Sequence, residues 1–497
     1  MENRYSRKIV SGAFFVFLFG VLGAFVGYLL RFILTSNLSP EDYGLYYSCL
    51  SLIGLFVLFE DFGLNSSLIY HISKFRAEKK FKKLKTSIFT VFLIQLFPAL
   101  IVSIIIFFSA RFFAINYLHL SENILKGVLV IKLLAIAYFV QIFHTLILSI
   151  LQGFQRIKLY SFVNFCRMLF YFTITWLFIS LNFSVISPVL GFLISYLFII
   201  LIFSPFALKL IPKAKICFSR KLTKKIIFYA FPIMFSSMAG LIIGYTDTIL
   251  ITLFRGLPEV GIYQTAQPTA RLLWFFAGAF TTVLFPLITE LKTKNINFLA
   301  NGIYLLYKYI WIVIIPFALM AFSFSRDILN LFFGPFYSSG ADVLKILAIG
   351  AIFFSVVQIN GVVLNGMGKP KNYTKIIYLG AIINVIGNII LIPIIGITGA
   401  AVSTMLTYII MFFFSFVELR KFIKVKIPVL KWSETLIAGF VSLLSIYFIK
   451  NMLHINLFLK VFICFSVSVS IFVCLLLILK IINLKEIFEL IKKIIKK

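Results

Sequence analysis

Long apolar segments alternate with short polar segments along the whole chain. A helix needs about 20 mostly apolar residues to cross a bilayer, and fourteen segments meet that requirement. Their predicted limits are 9–34, 44–70, 87–110, 127–150, 159–181, 187–208, 227–253, 268–289, 303–323, 342–363, 376–393, 397–417, 433–449 and 461–479. The pattern therefore predicts an all-α integral membrane protein with about 14 transmembrane helices.

The composition agrees with this prediction, because 62% of the residues are hydrophobic and only 13% are charged. Soluble domains are about 45–50% apolar and about 25% charged, and they could not bury so much apolar surface. The formal net charge of +31 lies mostly in the polar gaps between the spans. A nucleic-acid binder would instead gather its basic residues on one face of a soluble domain. We therefore expect membrane lipids as partners and no nucleic acid.

Lysine and arginine predict the orientation of the spans. If the N-terminus is cytoplasmic, 35 of the 47 basic residues fall in inner segments and six fall in outer segments. Cytoplasmic loops of membrane proteins carry such an excess. We expect a multi-pass protein of the cell (plasma) membrane with both termini in the cytoplasm. The terms inner and outer below follow this predicted orientation.

The last residues differ from the spans. In 483–497, apolar residues recur at helical spacing with lysines between them. This predicts an amphipathic helix on the inner membrane surface, with a frayed basic tail as the alternative. The five cysteines and four histidines show no spacing typical of a metal or redox site. We expect no catalytic residue, no metal and no cofactor.

Two sets of short segments recur at a nearly constant offset. The first set pairs Gly27-Tyr28, Pro40-Glu41 and Gly44-Leu45-Tyr46 with Gly244-Tyr245, Pro258-Glu259 and Gly261-Ile262-Tyr263. The second set pairs Leu151-Gln152-Gly153, Arg156, Lys158 and Tyr160 with Leu364-Asn365-Gly366, Lys369, Lys371 and Tyr373. The offset is 217 residues in the first set, with the Pro-Glu pair shifted by one residue inside its loop, and 213 in the second set. These offsets match span 1 with span 7. Because an even number of spans separates the copies, both enter the membrane in the same direction, as a parallel repeat.

The repeat predicts two six-helix lobes and two extra C-terminal helices. The predicted divisions are 1–208 for the first lobe, 209–225 for a cytoplasmic linker, 226–418 for the second lobe, 419–482 for spans 13 and 14, and 483–497 for the tail. Rocking of such lobes around a central cavity gives alternating access. We therefore expect a transporter rather than an enzyme, and a monomer, because one chain supplies both lobes.

Several motifs resemble one family of membrane proteins. They are Asp61-Phe62-Gly63-Leu64, Tyr245-Thr246-Asp247-Thr248-Ile249-Leu250, Glu259-Val260-Gly261-Ile262-Tyr263, Leu331-Phe332-Phe333-Gly334 through Leu344, and Leu364-Asn365-Gly366-Met367-Gly368-Lys369-Pro370 with Asn384, Asn388, Ile392-Pro393, Gly396 and Gly399-Ala400-Ala401. Over spans 1–12 the chain resembles the polysaccharide biosynthesis family, the Wzx-type oligosaccharide flippases. The resemblance implies membership of the multidrug/oligosaccharidyl-lipid/polysaccharide exporter superfamily. It also implies export of polyprenyl-(di)phosphate-linked glycans from the inner to the outer leaflet.

Four basic residues inside the spans are candidates for binding such a substrate: Arg31, Lys132, Arg167 and Arg271. A charge at the bilayer centre costs about 2.5–3.5 kcal/mol on insertion scales. Arg167 lies near the middle of span 5, and the other three lie near outer helix ends. Guanidinium groups bind phosphate oxygens in bidentate geometry, which favours a cationic cavity for the diphosphate. The alternatives are snorkelling for the three outer residues and, for Arg167, an ion pair with Glu60 or Asp61.

Two acids inside the spans are candidates for ion coupling. Asp61 lies in the inner third of span 2, and Asp247 lies in the outer third of span 7. Each could bind a proton or Na⁺ and link its movement to the rocking of the lobes. Charge balance for nearby arginines is the alternative.

Three other functions stay open. A multidrug cation antiporter of the same superfamily would need an acidic or apolar cavity, whereas this cavity is predicted to hold more basic than acidic residues. A lipid II flippase has the same number of spans. A membrane glycan polymerase or ligase needs catalytic groups on a large outer loop, but the predicted outer loops reach only about 20 residues and none clusters acids or histidines.

Overall fold

A computed structural model of the chain describes residues 2–275, 277–278, 288, 296–453 and 455–481. In these residues the regular structure is helical, and no strand is present. The helices are α1 (Glu2–Asn37), α2 (Pro40–Phe56), α3 (Leu58–Asp61), α4 (Leu64–Ala77), α5 (Phe81–Phe108), α6 (Ala110–Asn116), α7 (Ile124–Gly153), α8 (Ile157–Ser180), α9 (Ile186–Leu210), α10 (Arg220–Phe254), α11 (Leu257–Arg271), α12 (Ile296–Ser323), α13 (Ser325–Phe333), a 3₁₀ helix (Pro335–Gly340), α14 (Ala341–Gly366), α15 (Pro370–Ile395), α16 (Ile397–Arg420), α17 (Val429–Met452) and α18 (Leu457–Ile478).

Thirteen segments of the described residues are long and apolar enough to cross a membrane. They match thirteen of the fourteen predicted spans and confirm the predicted fold class. Half of the predicted eighth span, 268–289, lies outside the described residues, and the predicted tail, 483–497, lies entirely outside them. The protein is therefore a multi-pass α-helical membrane protein.

Span 2 differs from its prediction, because the structure breaks it inside the predicted range 44–70. After α3, the backbone of Phe62 and Gly63 adopts left-handed φ angles of 44° and 74°, and α4 begins at Leu64. The Asp61 carboxylate accepts a hydrogen bond of 3.0 Å from the backbone N–H of Asn65, in the first turn of the new helix. Apolar periodicity gave no indication of this break, because Phe62 and Gly63 are both compatible with a membrane span.

The chain forms two compact units, each described by itself. The first unit comprises Met1–Thr265, Phe332–Tyr337 and Ile377–Ala400, and the second comprises Ala266–Leu331, Ser338–Ile376 and Ala401–Lys497. The predicted lobe and linker boundaries at 208, 225 and 418 stay predictions.

In the first unit, α8 packs against α1 and α9, and α7 packs against α5 and α9. Its buried apolar core includes Leu68 and Ile72 of α4, Leu84 and Val91 of α5, and Leu151 of α7. In the second unit, the Trp432 ring of α17 stacks on Trp311 of α12 at 4.5 Å. The Trp432 indole N–H also donates to the Tyr307 carbonyl at 2.8 Å. These contacts attach span 13 to the rest of the second unit.

The outer ends of α2 and α11 cross at two glycines of the first unit that the repeat relates. A Cβ built on Gly44 would lie 2.6 Å from the carbonyl carbon of Leu257, and one built on Gly261 would lie 2.8 Å from the Pro40 carbonyl oxygen. The contacts are reciprocal, because Pro40 and Leu257, like Gly44 and Gly261, differ by 217 positions. Only glycine permits this approach, and the reciprocity is the geometry expected of a two-fold-related pair.

Candidate functional site

Arg31 is held inside the first unit rather than at the membrane surface. It lies on α1, and its guanidinium donates to the Gln264 carbonyl oxygen at 2.9 Å and to the Tyr43 hydroxyl at 3.4 Å. The guanidinium carbon lies 4.6 Å from the centre of the Tyr47 ring, close enough for a cation–π contact. The side chain is half-buried and has no acidic partner within ion-pair distance among the described residues. It therefore keeps a positive charge at the site.

A group of tyrosines connects Arg31 to Arg167. The Tyr47 ring lies 4.9 Å from the Tyr46 ring, and the Tyr46 and Tyr171 hydroxyls are hydrogen-bonded to each other. Tyr171 follows Arg167 by one turn of α8 and lies within electrostatic range of both Arg31 and Arg167. The structure thus brings two of the four predicted cations to one aromatic cluster.

Arg167 does not form the ion pair that was considered as an alternative. Its guanidinium carbon lies 5.4 Å from the centre of the Tyr196 ring, and no ion pair with Glu60 or Asp61 is present in the part of the chain that the structure describes. The Tyr196 hydroxyl donates to the Gln141 side-chain oxygen at 3.0 Å. Arg167 therefore stays cationic within a neutral aromatic environment.

Glu60 ends a chain of hydrogen bonds that runs from the Tyr196 hydroxyl through the Gln141 side chain. It is only 1% exposed, and its carboxylate accepts hydrogen bonds of 3.4 Å from both Gln141 and Thr145. Asp61, beside it in the sequence, accepts from the Asn65 backbone and is half-buried. The observed contact of Asp61 is with the first turn of α4, and its predicted role in ion coupling stays a prediction.

Asp247 is the most enclosed of the six predicted site residues. It is 1% exposed on α10 and accepts hydrogen bonds from the Tyr263 hydroxyl at 2.5 Å and the Asn388 amide at 2.7 Å. The Asn388 amide also donates to the Asn384 side-chain oxygen at 3.2 Å. The Asn388 side-chain oxygen is buried without a hydrogen-bond partner among the described residues. Carboxylate and amide oxygens thus meet in one buried place, which suits a proton or a hard cation.

Two consecutive residues of α11 join the cationic cluster to the acidic one. Tyr263 donates to Asp247, and the Gln264 carbonyl accepts from Arg31. The Gln264 side chain also donates to the Thr248 hydroxyl at 2.7 Å. Asp247 and Arg31 therefore bind neighbouring residues of one helix segment.

The other two predicted cations lie elsewhere. The Lys132 ammonium on α7 lies 4.9 Å from the Phe107 ring, and no contact joins it to Arg31 or Arg167 in the described residues. Arg271 ends α11 in the second unit, with its guanidinium carbon 5.3 Å from the Trp274 ring. Its Nε is buried without a hydrogen-bond partner among the described residues. Arg271 therefore has unused capacity to donate a hydrogen bond.

Sequence analysis did not select several residues that complete these clusters: Tyr46, Tyr171, Gln264, Asn384 and Asn388. The repeat contained a usable indication, because Tyr171 and Asn384 differ by the offset of 213, and Tyr46 and Tyr263 by 217. Among the described residues no group of three or more His, Cys, Asp or Glu side chains could hold a metal ion.

A family model described as polysaccharide biosynthesis protein matches residues 9–292. An uncharacterized membrane protein of Methanocaldococcus jannaschii is 34% identical over 99% of this chain and 100% of that protein. A probable low-salt glycan biosynthesis flippase of Haloferax volcanii is 23% identical over 90% of this chain and 91% of its own. The solved structure of the lipid II flippase MurJ in an inward closed conformation shares the fold, with a TM-score of 0.75, 18% identity and coverage of 93% of this chain and 98% of that one. The family match spans more than half of the chain, and the chain therefore belongs to the polysaccharide biosynthesis protein family.

Proposed function

We propose that the protein is a flippase that exports polyprenyl-(di)phosphate-linked oligosaccharide or polysaccharide repeat units. It moves them from the inner to the outer leaflet of the cell membrane by alternating access, as a monomer, and an ion gradient drives the cycle. The family match and the glycan flippase among the relatives support this substrate class.

The observation that carries the proposal is the link between opposite charges through α11. The cationic cluster of Arg31 and Arg167 offers guanidinium donors to a phosphate, and aromatic rings surround both cations. Phosphate oxygens bind arginine more strongly in such a water-poor setting than at an exposed surface. The prenyl tail stays in the lipid, so the protein has to shield only the diphosphate and the glycan.

Asp247 is the coupling residue of this proposal. Binding of a proton or Na⁺ would neutralise its buried carboxylate and loosen its hydrogen bonds from Tyr263 and Asn388. Because Gln264 follows Tyr263 directly, that change moves the backbone carbonyl that accepts from Arg31. Ion binding and release of the anionic substrate are thereby coupled, as reciprocal linkage requires.

The test uses purified protein in liposomes and measures the leaflet-to-leaflet movement of a fluorescent polyprenyl-diphosphate oligosaccharide. We expect movement with the wild-type chain and loss of movement with Arg167→Ala. The matched control is Arg111→Ala, which removes the same charge from an exposed position on α6. Normal movement by a well-folded Arg167→Ala variant would contradict the proposed site.

The same liposomes test the direction of coupling. We expect a proton or Na⁺ gradient to accelerate movement, and collapse of both gradients to leave only slow exchange. If the wild-type chain moves no lipid-linked glycan but exports an organic cation along an ion gradient, the protein is a drug antiporter instead.

A further inference from the structure

A short outer segment, Phe332–Tyr337, packs on the first unit beside the Arg31 cluster. It belongs to the predicted outer connection between spans 9 and 10. The Tyr28 ring of α1 lies 5.7 Å from the Phe332 ring and 5.5 Å from the Phe333 ring, both edge-to-face. Further along the segment, the Tyr337 ring lies 5.8 Å from the Tyr43 ring. The segment therefore contacts α1 and α2 on either side of Arg31.

Tyr337 has an incomplete environment. Its side chain is only 3% exposed, and its hydroxyl has no hydrogen-bond partner among the described residues. A buried hydroxyl without a partner costs free energy, so such a group is uncommon unless something else binds it. The neighbouring tyrosine, Tyr43, holds its own hydroxyl 3.4 Å from the Arg31 guanidinium. The Tyr337 ring thus contacts the tyrosine that accepts a hydrogen bond from the residue proposed to bind phosphate.

We propose that Phe332–Tyr337 is a lid over the outer side of the Arg31 site, and that the Tyr337 hydroxyl is a further hydrogen-bond donor to the phosphate held there. This inference rests on the proposed function and names a recognition residue within it. The bound phosphate accepts a hydrogen bond from the Tyr337 hydroxyl, and this bond keeps the lid closed. Exit of the glycan to the outer side requires the lid to leave Tyr28 and Tyr43.

The backbone of the segment suits a moving part. Gly334 has a φ of 101°, which ordinary side chains rarely adopt, and it separates α13 from the 3₁₀ helix. The segment carries no charged side chain of its own, and aromatic rings contact α1 and α2.

The first experiment isolates the hydroxyl. Purified Tyr337→Phe protein is titrated with a short-chain polyprenyl diphosphate, and we expect affinity about 10- to 100-fold weaker than wild type, because a hydrogen bond to a charged acceptor is lost. The matched control is Tyr117→Phe, since the buried Tyr117 hydroxyl donates at 3.2 Å to the Ser48 carbonyl. That control should bind the diphosphate like wild type.

The outcomes separate this inference from the proposed function. A wild-type chain that binds no polyprenyl diphosphate overturns both. Wild-type binding with an unchanged affinity in Tyr337→Phe overturns only the role of the hydroxyl. An equal loss of polyprenyl diphosphate affinity in Tyr117→Phe would show that removing any buried hydroxyl weakens binding. That result also contradicts the assignment of the Tyr337 hydroxyl as a phosphate donor.

The second experiment tests movement of the lid. The five native cysteines are first replaced, and Tyr28→Cys and Phe333→Cys are then introduced together. A cross-linker that reacts with two thiols and contains a reducible bond joins the two new cysteines. We expect glycan movement in liposomes to stop on cross-linking and return on reduction. The control pair is Asp42→Cys with Lys126→Cys, which replaces a static ion pair of 2.5 Å between α2 and α7. Full movement with the lid cross-linked would refute the lid.

Discussion

The glycine crossing of α2 and α11 gives the most direct prediction about the transport cycle. Gly44 and Gly261 permit a backbone approach at the outer end that a Cβ on either residue would block. Alanine at either position must therefore push the two helix ends apart. The conformation with this end closed loses stability, whereas a conformation with the end open is unaffected.

The size of the effect follows from the overlap. Forcing an extra carbon into a close-packed contact costs about 1–3 kcal/mol, and here the neighbour of Gly44 is the Leu257 backbone, which cannot rotate away. The ratio of closed to open molecules should fall by about 5- to 150-fold for each single substitution. The double substitution should destabilise the closed conformation by less than the sum of the two single effects. The reason is that helices already separated by one methyl group have room for the other.

A cysteine just below the crossing reports this change. The Thr252 hydroxyl donates to the Ser48 hydroxyl at 2.8 Å, so both are buried when the outer end is closed. Ser48→Cys, in a chain without its native cysteines, should react faster with an outside maleimide once Gly44→Ala or Gly261→Ala is added. The control is Ser67→Cys at the inner part of the contact between α4 and α10, where the Ser67 hydroxyl donates to the Ile226 carbonyl at 2.9 Å. Unchanged labelling of Ser48→Cys in both glycine variants would refute the reasoning.

Two further predictions test other parts of the structure. Asp247→Asn should abolish the dependence of glycan movement on an ion gradient and make polyprenyl diphosphate affinity independent of the coupling ion. Asp61→Ala removes the acceptor of the Asn65 N–H and should mainly cost about 0.5–2 kcal/mol of stability. Gradient dependence and thermal unfolding measured on both variants distinguish these roles. Trp432→Ala removes the stack on Trp311 and the bond to the Tyr307 carbonyl, so it should lower the free energy of unfolding by about 3–5 kcal/mol without weakening diphosphate binding, as thermal unfolding and titration can check.

The spans were predictable because the bilayer imposes one length on every crossing segment. The lengths of α7, α9 and α14 therefore follow closely from apolar runs. The break after Asp61 was not predictable in this way, because a lipid environment tolerates Phe62 and Gly63 in a helix as readily as in a turn. The break lies at the left-handed φ angles of Phe62 and Gly63, and hydropathy carries no information about backbone angles.

The candidate site was predictable only as a set of separated charges. Depth in the membrane selected Arg31, Arg167 and Asp247, since an unneeded charge is rarely kept there. Depth did not select their neutral partners, including Tyr171 and Gln264, because tyrosine and glutamine are ordinary near helix ends. The clusters arise from packing between α1, α8 and α11, which no local pattern encodes.

The repeat explains why one fold can hold two opposite sites. Tyr46 and Tyr263 are equivalent, as are Tyr171 and Asn384, so the same helix positions build both clusters. In the first copy these positions surround Arg31, and in the second they surround Asp247, whose neighbour Thr248 is the equivalent of Arg31. A symmetric pair of cations would attract the anionic substrate but could not respond to an inward flow of protons or Na⁺. In the proposed mechanism, a cation in one copy and an adjacent acid in the other would give the phosphate and the coupling ion separate sites, and Tyr263-Gln264 would join these sites through their hydrogen bonds.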